Sequence, residues 1–259
     1  MRSTLALAAV LGLAGCHDFA ALSKQYGAAV PGDLGADLAV VHDLASSQGD
    51  LPFPTAPDLA NADLSGPPVD LSTPPIVGHL SGSGAASASV TDLTATGTLD
   101  WAHWGYPSAA MDHKASSTSQ ISNYTPLGGA AAAYSNNPVG YSWSDGTATP
   151  SVTSTTTGVF VAGMGAGFQI TVPASTVSRT LLVYVGGYRS KGQLTATLSD
   201  LSAPAYSDAS FADLVDNIYD ATYTITYNAA KPGQTLTITW TALTVVMDGN
   251  VSLQSVALK

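Results

Sequence analysis

From residue 79 to the C-terminus the chain alternates apolar and polar residues in short runs broken by Gly, Pro, Asn and Asp. In Gln234–Trp240 the side chains of Thr235, Thr237 and Thr239 fall on one face and Leu236, Ile238 and Trp240 on the other. A period of two is the signature of a strand with one buried and one wet face. The same alternation runs through Phe168–Val172, Leu194–Leu198 and Tyr223–Tyr227, while Leu181–Val185 is apolar throughout, as expected of a central strand covered on both sides. A last strand is expected over Val251–Leu258 after a tight turn at Asp248-Gly249. Helical spacing occurs only at Phe211, Leu214, Val215 and Ile218, which predicts one short helix over 211–218. The pattern predicts an all-β domain, an antiparallel β-sandwich, over residues 79–259, with Trp240 in its core.

The first third reads differently. Arg2 precedes an apolar run from Thr4 to Leu13 that has the length of a signal-peptide core and is too short to span a bilayer. It ends in Leu13-Ala14-Gly15-Cys16, which resembles the bacterial lipobox. The resemblance implies that residues 1–15 are a lipoprotein signal peptide and that Cys16, the chain's single cysteine, becomes an acylated N-terminus. At about 0.8 kcal/mol per buried CH₂, two or three acyl chains anchor a protein firmly. Residues 16–78 then carry seven Asp-Leu pairs at irregular spacing, interleaved with prolines and poor in aromatics. This is the composition of a disordered, solvated linker rather than of a core. As a flexible coil it would hold the domain roughly 45 Å from its anchor. The expected location is therefore a bacterial membrane, the outer membrane facing the cell surface, with the lipid as the membrane partner.

Composition narrows the function. Acids outnumber bases 18 to 8 and every acid is Asp, so a nucleic-acid partner has no electrostatic footing. One cysteine leaves no intramolecular disulfide, and packing must hold the domain together. Asp100–Gly105, Ile121–Tyr124, Tyr141–Gly146, Arg179–Gly186 and Leu194–Asp200 together resemble an uncharacterised extracellular module of large bacterial proteins. Its strand order is similar to the galactose-binding-like jelly roll. That resemblance implies glycan binding without naming the sugar or any site residue.

Trp101, Trp104, Tyr106 and Trp143, with His103 beside them, are candidate ligand-binding residues because exposed rings stack on sugar faces. On a strand Trp101 and His103 share one face and Trp104 takes the other, so at least one Trp belongs to the core. Asp100, His103, Asp112 and His113 match no metal-site spacing and are expected to be structural. Asp208, Asp213, Asp216 and Asp220 are weak candidates for a structural calcium, which takes six to eight oxygens. Their surroundings lack the Gly turn of an Asp-rich calcium loop. No nucleophile elbow or phosphate-binding Lys is present, and no catalytic residue or cofactor is expected. The leading expectation is a tethered carbohydrate-binding module. A structural or adhesive envelope protein with a protein partner is the alternative, and a hydrolase is the third.

Overall fold

The structure, a computed structural model, describes residues 76–87, 90–115 and 118–259. The signal peptide, Cys16 and residues 16–75 of the expected linker lie outside them. The elements are β1 (His79–Ala86), β2 (Val90–Asp92), a single helical turn α1 (Leu93–Thr96), β3 (Asp100–Trp104), β4 (Met111–Lys114), β5 (Thr125–Leu127) and β6 (Ala132–Tyr134). They continue with β7 (Gly140–Trp143), β8 (Gly146–Thr147), β9 (Val152–Thr155), β10 (Gly158–Ala162), β11 (Gly167–Ala174) and β12 (Arg179–Leu198). The last three are β13 (Tyr206–Asp208), β14 (Ala212–Asn228) and β15 (Gln234–Leu258).

The two longest strands, β12 and β15, organise the domain. They pair antiparallel along their whole lengths, with irregular register near Tyr188–Gly192. Their outer halves lie in different layers. In one layer the order is β1, the second half of β14, the first half of β12, the second half of β15, then β3, β4 and β8. Strand β10 pairs with β15 beside β3 and carries β6 on its far edge. In the other layer β5, β11, the first half of β15, the second half of β12 and β13 follow one another. The layers meet face to face: the Tyr223 ring of the first lies 6.0 Å from the Trp240 ring of the second. Trp240 Nε1 also donates across the interface to the Gly186 carbonyl at 3.1 Å. Among the described residues this is the expected all-β antiparallel sandwich, with Leu181–Val185 central and Trp240 buried.

Two local expectations need correction. Residues 211–218 do not form a helix: Ala212–Asn228 is strand, pairing Ser190 with Asp213 and Tyr188 with Ile218. Between those two pairs residues 214–217 bulge outwards, and the Asp213 carboxylate accepts the backbone N–H groups of Val215 at 2.9 Å and Asn217 at 3.3 Å. Leu214 and Val215 are exposed while Phe211 packs against the main core, so the four residues do not form one buried stripe, and β12 supplies the backbone partners that an isolated helical turn lacks. Nor does Asp248-Gly249 close a hairpin. Strand β15 runs on through it, and Gly249 lets the Arg189 carbonyl approach within 2.3 Å of where a Cβ would stand.

The outer face of the first layer carries a second, smaller core. Tyr184, Ala257 and Trp101 pack there with Leu93, Val139, Tyr141 and Trp143 under a three-stranded sheet of β2, β7 and β9. Strands β2 and β7 of this cover are parallel. A register step in β15 shapes the same face. Tyr184 pairs with Ser255, but the next residue, Val185, pairs with Leu253, so Gln254 is left over as a bulge. Leu253 and Val256 point into the main core, and the bulge turns both Gln254 and Ser255 outwards.

Candidate functional site

The aromatic residues singled out in the sequence come together, but inside the protein. Trp101, Trp104 and His103 are wholly buried, and Trp143 is 2% exposed. Trp104 faces the main core and Trp101 the smaller one, as alternation on β3 requires. His103 stands 5.1 Å from the Trp143 ring and 5.5 Å from the Tyr141 ring. Its Nδ1 is 2.8 Å from the Ser255 hydroxyl and its Nε2 2.9 Å from the Thr157 hydroxyl. Burial with only hydroxyls for company lowers the imidazole to about 3 and keeps it neutral. Tyr106, half-buried, sets its ring edge-on to Trp143 at 6.1 Å. The three tryptophans and His103 of the expected stacking platform are therefore packed inside, because these large rings fill the space between the sheet and its cover, and only Tyr106 keeps part of its surface exposed.

The polar candidates also disperse. Asp100 accepts the backbone N–H groups of Gln120 at 2.6 Å and Ile121 at 3.1 Å, and Asp112 accepts that of Thr149 at 2.7 Å. His113 bonds the Lys114 carbonyl. Of the four calcium candidates, Asp208 accepts the hydroxyls of Ser210 and Tyr223, each at 2.7 Å, and Asp213 caps its own bulge. Asp216 already faces a cation, with Arg189 at 2.7 Å, and Asp220 accepts from the Gln254 side-chain amide at 3.2 Å. Among the described residues no three of His, Cys, Asp and Glu gather where they could hold a metal ion.

What the sequence did not single out is a cleft of about 300 Å³ on the outer face of the first layer. It is lined by Tyr134, Asn136, Phe160, Gly187, Tyr188, Ile218, Asn250 and Ser252. Its walls come from different elements. Phe160 points outwards because its neighbours Val159 and Val161 point into the core. It meets the Tyr134 ring edge-on at 6.2 Å. Tyr188 lies where β12 bends, and Arg189 follows in left-handed backbone with its guanidinium 5.0 Å from the Tyr188 ring. Gly187 is held in close packing with no room for a side chain, for a Cβ there would come within 2.5 Å of the Ser190 hydroxyl and 2.7 Å of the Asn250 carbonyl.

Behind the cleft lies a buried polar network. The Gln254 side-chain nitrogen is 2.7 Å from Tyr134 Oη, 3.0 Å from Ser252 Oγ and 3.2 Å from Asp220 Oδ1. Tyr134 Oη donates onward to Asn137 at 3.2 Å. Desolvation raises the Asp220 carboxyl to about 6, partly offset by a hydrogen bond from Asn137, and it raises the Tyr134 phenol as well. Chemically the cleft offers three aromatic rings, two amides and the Ser252 hydroxyl; among the described residues no charged side chain lines it, though Asp216 and Arg189 lie against Tyr188. That set can stack on the apolar face of a sugar ring and exchange hydrogen bonds with its hydroxyls.

No family model and no curated protein matches the chain. Among solved structures, the carbohydrate-binding module TmCBM61 in complex with β-1,4-galactotriose shows a TM-score of 0.32 at 11% identity, covering 56% of this chain and 90% of that one. The enzymatically active domain of bacteriophage CBA120 tailspike protein 4 shows a TM-score of 0.33 at 10% identity, covering 54% of this chain and 19% of its own. At these TM-scores neither likeness bears on what this chain does, and the fold rests on the strand pairings themselves.

Proposed function

We propose that the domain is a glycan-binding module without catalytic activity, carried on a long acidic tether from a lipidated Cys16, with the Tyr134–Phe160–Tyr188 cleft as its binding site. The observation that carries the reading is the cleft's lining: aromatic rings beside Asn136, Asn250 and Ser252, set on sheet backbone. A sugar ring is amphipathic, with axial C–H groups on its faces and hydroxyls at its rim. Rings plus amides complement it, whereas an apolar ligand would leave the amides unpaired. The volume is at the small end for ligand pockets, which range from about 300 to 1,000 Å³, and suits one or two sugar units. The neutral lining and the net charge of −10 favour uncharged glycans over uronates or sulfated chains.

The test is retention of the full chain by a panel of insoluble and soluble polysaccharides, with galactan, xylan, β-glucan and chitin as first members. Binding that is lost in Tyr188→Ala and Phe160→Ala, both folded, supports the reading. Binding untouched by either substitution places the site elsewhere, and no binding across the panel refutes the glycan reading. The anchor is tested separately: a fatty-acid analogue fed to expressing bacteria labels the protein, and Cys16→Ala removes the label.

A further inference from the structure

We propose that Asp220 and Gln254 form a proton-linked latch behind the cleft that decides whether the Ser252 hydroxyl is free to face a ligand, an inference that rests on the cleft being the binding site. The geometry begins with the bulge in β15. It places Gln254, with none of its surface exposed, among three oxygen atoms, and its nitrogen has two protons to give. Two of those oxygens belong to cleft residues, Tyr134 and Ser252. Meanwhile Gln254 Oε1 and Asp220 Oδ2 are both buried without a partner. Unpaired acceptors closed off from solvent are costly, and here two of them sit in one network.

The amide has two arrangements, which differ in what they ask of Ser252. With Asp220 ionised, the Gln254 amide gives one proton to Asp220 Oδ1 and one to Tyr134 Oη, which leaves the Ser252 hydroxyl free to point into the cleft. With Asp220 protonated, a half-turn of the amide, which exchanges nitrogen for oxygen without changing its shape, puts Oε1 where its two lone pairs can accept from the Asp220 and Ser252 O–H groups, while Tyr134 Oη keeps its bond to Asn137. Ser252 is then occupied. One proton on Asp220 thus sets the direction of a hydroxyl in the cleft.

The surroundings leave this proton to act alone. From the segments around β6 and β7, Tyr134, Asn137 and Tyr141 face the network, and from β14 the neighbouring Tyr219 does. From β12 the backbone of Gly186 lies against Asp220 Oδ1, while the connection after β1 contributes the Ser87 N–H to the Asp220 carbonyl. Among the described residues no Lys, Arg or His acts on Asp220. The three phenols are all pushed above their ordinary range, Tyr219 to about 12, and stay neutral from pH 4 to 8. Burial brings Asp220 alone, at about 6, into that range.

The latch is tested on the ¹⁵N-labelled full chain by following the Gln254 side-chain amide resonances from pH 4 to 8. The expected result is a shift with its midpoint within about one pH unit of 6 that is absent in Asp220→Asn. Affinity for whichever of galactan, xylan, β-glucan or chitin is retained should be about three- to tenfold weaker at pH 5 than at pH 7.5, the worth of one hydrogen bond. That difference should vanish in Ser252→Ala. A Gln254 resonance that does not move, or moves equally in Asp220→Asn, overturns the latch whatever the cleft binds. Affinity independent of pH while Gln254 titrates overturns the link to Ser252. Failure to retain any polysaccharide overturns the reading of the cleft, while the Gln254 titration still decides the latch.

Discussion

Replacing His103 by Gln should reverse the sign of the pH dependence that His103 and Asp220 together give the fold. The imidazole is wholly buried, hydrogen-bonded to the hydroxyls of Ser255 and Thr157, and lowered to about 3 by desolvation, against 6.5 when unfolded. A folded-state value below the unfolded one means that the unfolded chain takes up the proton first. Stability is therefore whole above about pH 6.5 and falls as the pH drops towards 3. Between pH 7.5 and 4 the loss from this one residue is about 3 kcal/mol, at 1.36 kcal/mol per pH unit. Asp220 works in the opposite direction. Its folded value of about 6 lies above its ordinary 3.8, so its contribution is greatest in acid and is lost as the pH rises through 6. Over the same interval it returns about 2 kcal/mol on acidification. The two nearly cancel, and the wild-type fold should lose only about 1 kcal/mol from this pair on going from pH 7.5 to 4. Urea unfolding at pH 7.5, 6, 5 and 4 reads the difference. His103→Gln should become more stable in acid by about 2 kcal/mol, whereas Asp220→Asn should lose about 3 kcal/mol over the same interval. If His103→Gln keeps the wild-type slope, the imidazole is not held neutral in the fold and the reasoning fails.

Other expectations follow from the same packing. Trp240→Leu removes a ring that joins the two layers and its hydrogen bond to Gly186, and should cost about 3 kcal/mol or more in chemical denaturation. Gly192→Ala places a Cβ within 2.0 Å of Trp240 Cη2, backed by the core. It should destabilise by about 1–3 kcal/mol, seen as a thermal midpoint lower by several degrees. Trp101→Ala should unfold or severely destabilise the domain, read by loss of near-ultraviolet dichroism, since the ring is buried against Trp143 at 5.3 Å. Tyr188→Ala and Phe160→Ala, at partly exposed positions of the cleft rim, should shift the unfolding midpoint far less than Trp101→Ala while abolishing glycan retention.

Much of the fold is written in period-two alternation, and where both faces of a strand are specified the reading holds. Leu236, Ile238 and Trp240 turn inwards against Thr235, Thr237 and Thr239 as the pattern demands. It fails where local spacing competes with a partner strand. Phe211, Leu214, Val215 and Ile218 mimic a helical stripe only because residues 214–217 bulge from β14, a detail set by pairing with distant β12. The Trp-rich segments announce themselves as chemistry, yet size decides their fate: large rings fill the gap between a sheet and its cover. The cleft itself has no compact signature. Tyr134, Phe160, Tyr188 and Asn250 are separated by 26, 28 and 62 positions and converge only through sheet order. One trace was legible: Phe160 is an aromatic at an outward position between inward Val159 and Val161. The bulge that turns Gln254 towards Asp220 is a register property and leaves no mark in the sequence.

Whether glycans occupy the Tyr134–Phe160–Tyr188 cleft can be read from amide shifts of the ¹⁵N-labelled full chain during titration with oligosaccharides of the polysaccharide it retains. Shifts concentrated at Tyr134, Asn136, Phe160, Tyr188, Asn250 and Ser252 are expected. Shifts centred on Trp101 and Trp143, or on the threonine-bearing face of β11 and β15, would contradict that reading of the cleft.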